Sequence, residues 1–314
     1  MIHVSSTPHI RAKSSTSNIM LTVVISLLPA AVYGVHHFGL RALWHILITV
    51  GTAVLSEFIF DKIAGKKVRI GDMSAVVTGL LLAMNLPVAA PLWIGIIGAF
   101  FAIVVVKMLF GGLGQNFMNP ALGARCFLLI SFPKLMTDFT YDGISTATPL
   151  ALLKNGETVN LKDMVLGNTG GTIGETSMLF VVLGGCIMIL AGVIDLYVTA
   201  SYILAFSVFV ILCGGHGFDP YYLSCHLAGG GLMLGAFFMA TDYVTRPVTK
   251  KGQVIYGIFI GIMTGIFRIF GPSAEGVSYA IILGNLIVPL IEKITMPKPF
   301  GYEKPVKGKK GGKS

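Results

Sequence analysis

The chain has 314 residues, of which 54% are hydrophobic and 12% charged, and its mean hydropathy is +0.81. These values exclude an ordinary soluble globular protein and describe an integral membrane protein with room for little more than one loop of moderate length outside the bilayer. The net charge of +9 does not point to nucleic acid, because seven of the 23 Lys and Arg residues crowd into the tail after Ile291, where a cytoplasmic segment beside anionic lipid accounts for them.

Residues 1–18, "MIHVSSTPHIRAKSSTSN", lack the short apolar core and small-residue cleavage site of a signal peptide, so the first spanning segment is expected to target the chain. Apolar segments follow at about 19–38, 42–60, 74–86, 90–110 and 118–132, forming a first membrane unit over 19–132. After a connecting stretch, 133–176, five more at about 177–194, 196–213, 227–241, 254–270 and 277–291 form a second unit over 177–291, and a basic tail occupies 292–314. Ten crossings put both termini on one side. With that side cytoplasmic, 17 of the 23 basic residues lie there, and only Arg41, Arg125, Lys134, Lys154, Lys162 and Arg268 do not. Residues 133–176 are then extracytoplasmic.

The third, fifth, eighth and tenth segments are predicted to have about 13 to 15 residues, too few at ~1.5 Å each to cross ~30 Å of hydrocarbon. They fall third and fifth in each half. "TGLLLAMN" (78–85) also aligns with "GAFFMATD" (235–242), both ending in a polar residue, and Gly-rich breaks follow at 110–116 and 270–276. An odd number of crossings inverts the second copy, and inverted repeats with broken helices place polar groups near the membrane midplane. Asn85, Gln115, Asn116, Asn119, Asp242 and Glu275 are the candidate polar groups at depth. Hydrogen bonding between helices is the plainer account of each.

The four cysteines lie far apart without CxxC spacing, so this chain is not expected to hold haem or an iron–sulfur cluster by itself. His216 and His226 flank Asp219 amid Gly and Pro, and read as satisfied loop histidines rather than metal ligands. "DGISTATPL" (142–150) interrupts the apolar pattern with hydroxyls at three of four consecutive positions, which alone describes a turn.

Together, "GGLGQNFMNPALGAR" (111–125), "DGISTATPL" and "GAFFMATDYVTRPVTKKG" (235–252), with "PHI" at 8–10 and "EGVSYAIILGN" at 275–285, resemble the D-subunit family of the Rnf complexes. That family is similar to the B subunit of the sodium-pumping NADH:quinone reductase. The resemblance implies an all-α membrane fold of about ten transmembrane helices, arranged as two inverted five-helix repeats like those of urea and ammonium transporters. It implies FMN carried by Thr148 through a phosphoester bond, in a pattern that includes Asp142 and Ser145; Thr146 stands where the pattern usually has glycine. It further implies non-covalent riboflavin near Asn116, Asn119 and Asp242, while Arg125 either counters the FMN phosphate or snorkels.

By the same resemblance, the chain breaks no substrate bond itself. It serves as one component of an inner-membrane translocase that couples electron flow between ferredoxin and NAD+ to Na+ or H+ export. The implied partners are iron–sulfur, second flavinylated and other integral membrane subunits, a flavin transferase that modifies Thr148, and membrane lipid, with no nucleic acid. The alternative from another class is a solute channel or transporter on the same fold, since function resides in the site.

Overall fold

Ser15 opens the first helix by accepting the Asn18 N–H with its hydroxyl (3.3 Å), a standard N-cap. The computed structural model describes residues 15–66, 68, 70–141, 144–145, 148–175, 177–271 and 276–297. The first half comprises α1 (Thr16–Phe38), α2 (Leu40–Ile63), α3 (Ser74–Met84), α4 (Leu92–Met108) and α5 (Pro120–Ser131). From Phe101 to Met108 α4 winds as a π-helix. The connecting stretch holds α6 (Pro133–Met136), an antiparallel hairpin of β1 (Thr140–Tyr141) and β2 (Ile144–Ser145), α7 (Pro149–Lys154) and α8 (Leu161–Leu166). The second half comprises α9 (Met178–Leu190), α10 (Leu196–Cys213), α11 (Pro220–Ala228), α12 (Leu232–Met239), α13 (Lys250–Ile269) and α14 (Val277–Thr295).

Among the described residues five helices, α1, α2, α10, α13 and α14, are long and apolar enough to cross a membrane. The pair α11 and α12, bent by 62° at its break, makes a sixth candidate. Large apolar side chains such as Val32, Leu204 and Leu290 stand exposed on these helices, as lipid-facing residues do. The chain is a multi-pass integral membrane protein.

The structure corrects the expected pattern of short segments. The tenth, expected to end near 291, continues through Glu292 and Lys293 to Thr295 and has 19 residues. Charged residues end the apolar signal there without ending the helix, and Glu292 accepts the Val248 N–H at 3.2 Å. Conversely the sixth, expected to reach 194, stops at Leu190 because Gly192 turns the chain at φ +69°. Shortness therefore marks the third, fifth, sixth and eighth segments, the eighth being the half-helix α12 (Leu232–Met239). Residues 220–226, outside the expected apolar segments, form α11, with Pro220 in its first turn and the Asp219 carboxylate accepting the Tyr221 N–H (2.9 Å).

Glycines set the closest packing. Gly257, Gly261 and Gly265 recur every fourth residue along α13, and a Cβ on Gly261 would lie 2.7 Å from the Tyr202 carbonyl oxygen of α10. This stripe lets the two backbones meet directly. α1 packs on α9, and α5 on α14.

Two breaks shape the interior. At the end of α3 the carbonyls of Met84 and Leu86 accept the N–H groups of Gly174 (2.7 Å) and Ile173 (3.1 Å), so the stretch before α9 caps the helix. Between α11 and α12 Gly230 and Gly231 adopt φ of +64° and +63°. Buried Arg268 of α13 donates to the carbonyls of Gly229 and Gly230, both at 2.9 Å, and to that of His226. Leu150 of α7 packs onto the same break, since a Cβ on Gly229 would sit 2.9 Å from its Cγ. Removing Arg268 takes these donors from three carbonyls, each of which costs about 1–3 kcal/mol when buried and unsatisfied. Arg268→Leu is expected to lower the thermal unfolding midpoint of the detergent-solubilised protein by well over the effect of an exposed change such as Lys162→Ala; an equal midpoint would mean that other donors hold the break.

Candidate functional site

The N-terminus of α5 is built around Asn119. Its side-chain oxygen accepts the N–H groups of Ala121 (3.0 Å) and Leu122 (3.4 Å), and its amide nitrogen donates to the Met239 carbonyl at the end of α12 (3.4 Å). One side chain thus caps one helix and ties it to the end of another. Behind it lies Asn285 of α14. With its amide oriented to satisfy all contacts, Asn285 accepts the Asn119 N–H (3.1 Å) and donates to the Tyr256 hydroxyl (2.8 Å) and the Ile281 carbonyl (3.3 Å).

Asn116 and Asn119 from one motif and Asp242 from another line one cavity of about 690 Å³ including its open mouth. Asn116 is buried and donates its amide to the Met118 carbonyl (3.0 Å). The Asp242 carboxylate accepts the Val244 N–H (3.2 Å) and the Thr245 hydroxyl (3.4 Å), which folds the turn after α12 into the wall. Thr241 and Lys107 add polar groups, and Val77, Leu81 and Phe238 supply apolar surface.

The sequence reading counted Lys107 as cytoplasmic or within the membrane and gave neither it nor Glu57 a role beside this cavity. Lys107, in the π-helical turn of α4, is 2% exposed and donates to Glu57 of α2 (2.8 Å) and to the Ser74 hydroxyl (2.6 Å), which donates on to Asp72 (2.6 Å). A charged residue inside an apolar segment marks a site, and both Glu57 and Lys107 carried that signal.

Arg125 lies six positions along α5 from Asn119, about 9 Å of helix, and therefore at another depth. It is 4% exposed and does not reach a surface: it donates to the Asn85 side chain (2.5 Å) and pairs with Glu175 (3.5 Å). Glu175 in turn lines a cleft with Thr148, Pro149, Met164 and Gly229. Thr148 is half-buried at the N-cap of α7, where its Oγ1 accepts the Ala151 N–H at 3.4 Å. Ser145 lies in β2, while Asp142, Thr146 and Glu275 lie outside the described residues. Four of the predicted residues thus divide into a cavity trio and Thr148 in a separate cleft, linked through Glu175 to the fifth, Arg125. His226, expected in a loop, is instead buried in the last turn of α11. Nothing in the local sequence around Glu175 announced a role, whereas Asn285 is an amide inside an apolar segment and closes the stretch 275–285, a signal that was not followed.

With this geometry in place, the comparisons with known proteins are specific. Residues 3–301 match the family described as NQR2, RnfD, RnfE. The chain is 49% identical to the D subunit of the Na+-translocating ferredoxin:NAD+ oxidoreductase complex of Acetobacterium woodii, with 96% of each chain covered. It is 41% identical to the D subunit of the proton-translocating ferredoxin:NAD+ oxidoreductase complex of Clostridium ljungdahlii, covering 95% of this chain and 96% of that one. Identity to the D subunit of the ion-translocating oxidoreductase complex of Yersinia enterocolitica is 33%, over 96% of this chain and 99% of that one. A family match over almost the whole length, with relatives covered end to end, decides the question: the chain belongs to the NQR2, RnfD, RnfE family.

Proposed function

We propose that the chain is a flavin-carrying membrane subunit of an ion-translocating ferredoxin:NAD+ oxidoreductase complex, with FMN esterified to Thr148 and riboflavin held in the cavity of Asn116, Asn119 and Asp242. The names of its relatives support the complex, and the single observation that carries the flavin reading is that cavity. Residues from separate motifs, up to 126 positions apart by number (242 − 116), converge on a space with apolar walls and few polar groups. Such a site suits a planar ring with one hydrogen-bonding edge.

The residues fit the two groups in different ways. Asn119 is engaged with the α5 backbone and Met239, so its role is to fix the cavity floor. Asn116 and Asp242 retain acceptor capacity beyond their turn-forming bonds and are the groups to hold the ring edge. The Asp242 carboxylate disfavours extra negative charge nearby, which makes reduction harder. Among the described residues Thr148 has its hydroxyl in one long capping bond beside a cleft, an arrangement that leaves the oxygen available for esterification by a flavin transferase. Bound flavins supply one- and two-electron chemistry, and the protein contributes spacing and electrostatics. The remaining subunits, with iron–sulfur centres and a second flavin, complete the path, and Na+ or H+ is the exported ion.

Two inverted five-helix repeats of the urea-transporter type are part of this reading. Of the segments first expected to be short, the third, fifth and eighth are so and the tenth is not. Contacts between equivalent elements support the reading, α1 with α9 and α5 with α14, as does the matched position of Asn85 and Asp242 after the half-helices α3 and α12. We place both termini in the cytoplasm and residues 133–176 outside, in the inner membrane.

Peptide mass spectrometry of the chain from its native complex should find the FMN mass on a fragment containing Thr148, and Thr148→Ala should lose it; the mass on Ser145 or Thr146 would move the site. Asn119→Leu should lower extractable riboflavin per chain at least several-fold while covalent FMN remains. Unchanged riboflavin with lost sodium dependence would make the cavity an ion site. In a cysteine-free background, single cysteines at Lys154 and Lys310 should react with an impermeant thiol reagent from outside intact cells only at the first position, and the reverse pattern would invert the topology.

A further inference from the structure

A second cavity, of about 790 Å³ including its mouth, lies at the far end of α7 from Thr148 and is not used by the reading above. His216, Tyr222 and His226 line it as a run of rings: the His216 and Tyr222 centroids are 4.3 Å apart at 32°, those of Tyr222 and His226 4.5 Å apart at 63°. Lys154 and Arg268 also line it, and among the described residues no carboxylate does. The buried Nδ1 of His226 has no hydrogen-bond partner among the described residues. Leu150 borders both this cavity and the Thr148 cleft, so the two adjoin across one side chain.

Resting on the reading of Thr148 as the flavin carrier, we propose that this cavity is the bed of the isoalloxazine ring of the flavin that Thr148 carries. The six residues of α7 span about 9 Å, a distance that an extended ribityl phosphate chain covers. Tyr222 and His216 offer aromatic faces for offset stacking on a planar ring. His226 supplies a polar nitrogen that the fold leaves unengaged, for the ring's hydrogen-bonding edge. Arg268 is engaged with backbone carbonyls and contributes charge rather than new bonds. Exposed Lys154 adds a second positive charge, and the pair favours electron uptake by the ring, the reverse of the effect of Asp242 on the other cavity.

The test uses the full-length chain produced with its flavin transferase, with covalent flavin confirmed by mass spectrometry. Subtracting the spectrum of Thr148→Ala isolates the covalent flavin. In the parent its fluorescence should be quenched and its anisotropy should decay at the rate of the whole particle. His216→Ala and Tyr222→Leu should each raise emission several-fold and add fast ring motion, with flavin mass retained. Lys154→Gln should shift the midpoint potential of the covalent flavin downward, and the control Lys162→Ala should change neither signal. Because His216 is exposed, its variant does not depend on the packing of α11. A bright, fast-tumbling covalent flavin in the parent, or emission and potential unmoved by all three variants, overturns the inference while leaving flavinylation of Thr148 intact. Absence of flavin from Thr148 instead overturns the reading beneath it, and this inference with it.

Discussion

A carbonyl oxygen without a donor is tolerated in water and costly in hydrocarbon, and a helix that stops partway through a membrane presents several of them. Much of this structure answers that constraint. The break between α11 and α12 is met by Arg268 from α13 and the end of α3 by the N–H groups of Ile173 and Gly174; at the start of α5, where N–H groups are the ones left over, the Asn119 side-chain oxygen accepts two of them. Each partner comes from an element distant in sequence or doubles as a link to one. Satisfying the backbone and assembling the sites are therefore the same event. Asn119 shows it most directly, since the amide that caps α5 also holds the end of α12 against the cavity.

Charge is handled in the same manner. Lys107 with Glu57 and Arg125 with Glu175 are ion pairs whose four side chains are nearly all withdrawn from solvent. Pairs of this kind need not add stability, but losing one partner strands the other at a cost of about 3–5 kcal/mol. They fix register rather than strength: Lys107 sets α4 against α2 and α3, and Arg125 sets α5 against the Asn85 end of α3 and the stretch leading to α9.

The ten apolar segments are legible from hydropathy because a lipid-facing helix must be apolar over most of its length, and each has a helix at its place. Their ends are not. Glu292 stops the hydropathy signal but not α14, and α11 hides because "PYYLSCHLA" is too polar to register as a span. In the cavity, Asn116, Asn119 and Asp242 are legible because amides and carboxylates stand out among apolar neighbours. Glu175 is not, since its role depends on Arg125, which only the fold brings near; Asn285 stands out as an amide among apolar neighbours, but its partner Asn119 is likewise supplied by the fold alone. Arg125 itself reads as a group near the surface because its position toward a segment end says nothing about whether an acid will meet it inside.

The glycine stripe of α13 has a mechanical consequence. Where Gly257 and Gly261 bring α13 onto the backbone of α10, and Gly265 seats the Phe209 ring, little room remains to slide or repack, so the two helices form a stiff strut. The break at 229–231 is the opposite, a joint of small residues whose neighbours are a hinge-like turn and a single arginine clamp. A bilayer that thins or thickens loads every span at once. The strut passes that load on, and the joint yields to it, so the compliance of this half of the molecule resides next to α7, whose Leu150 is seated in the joint.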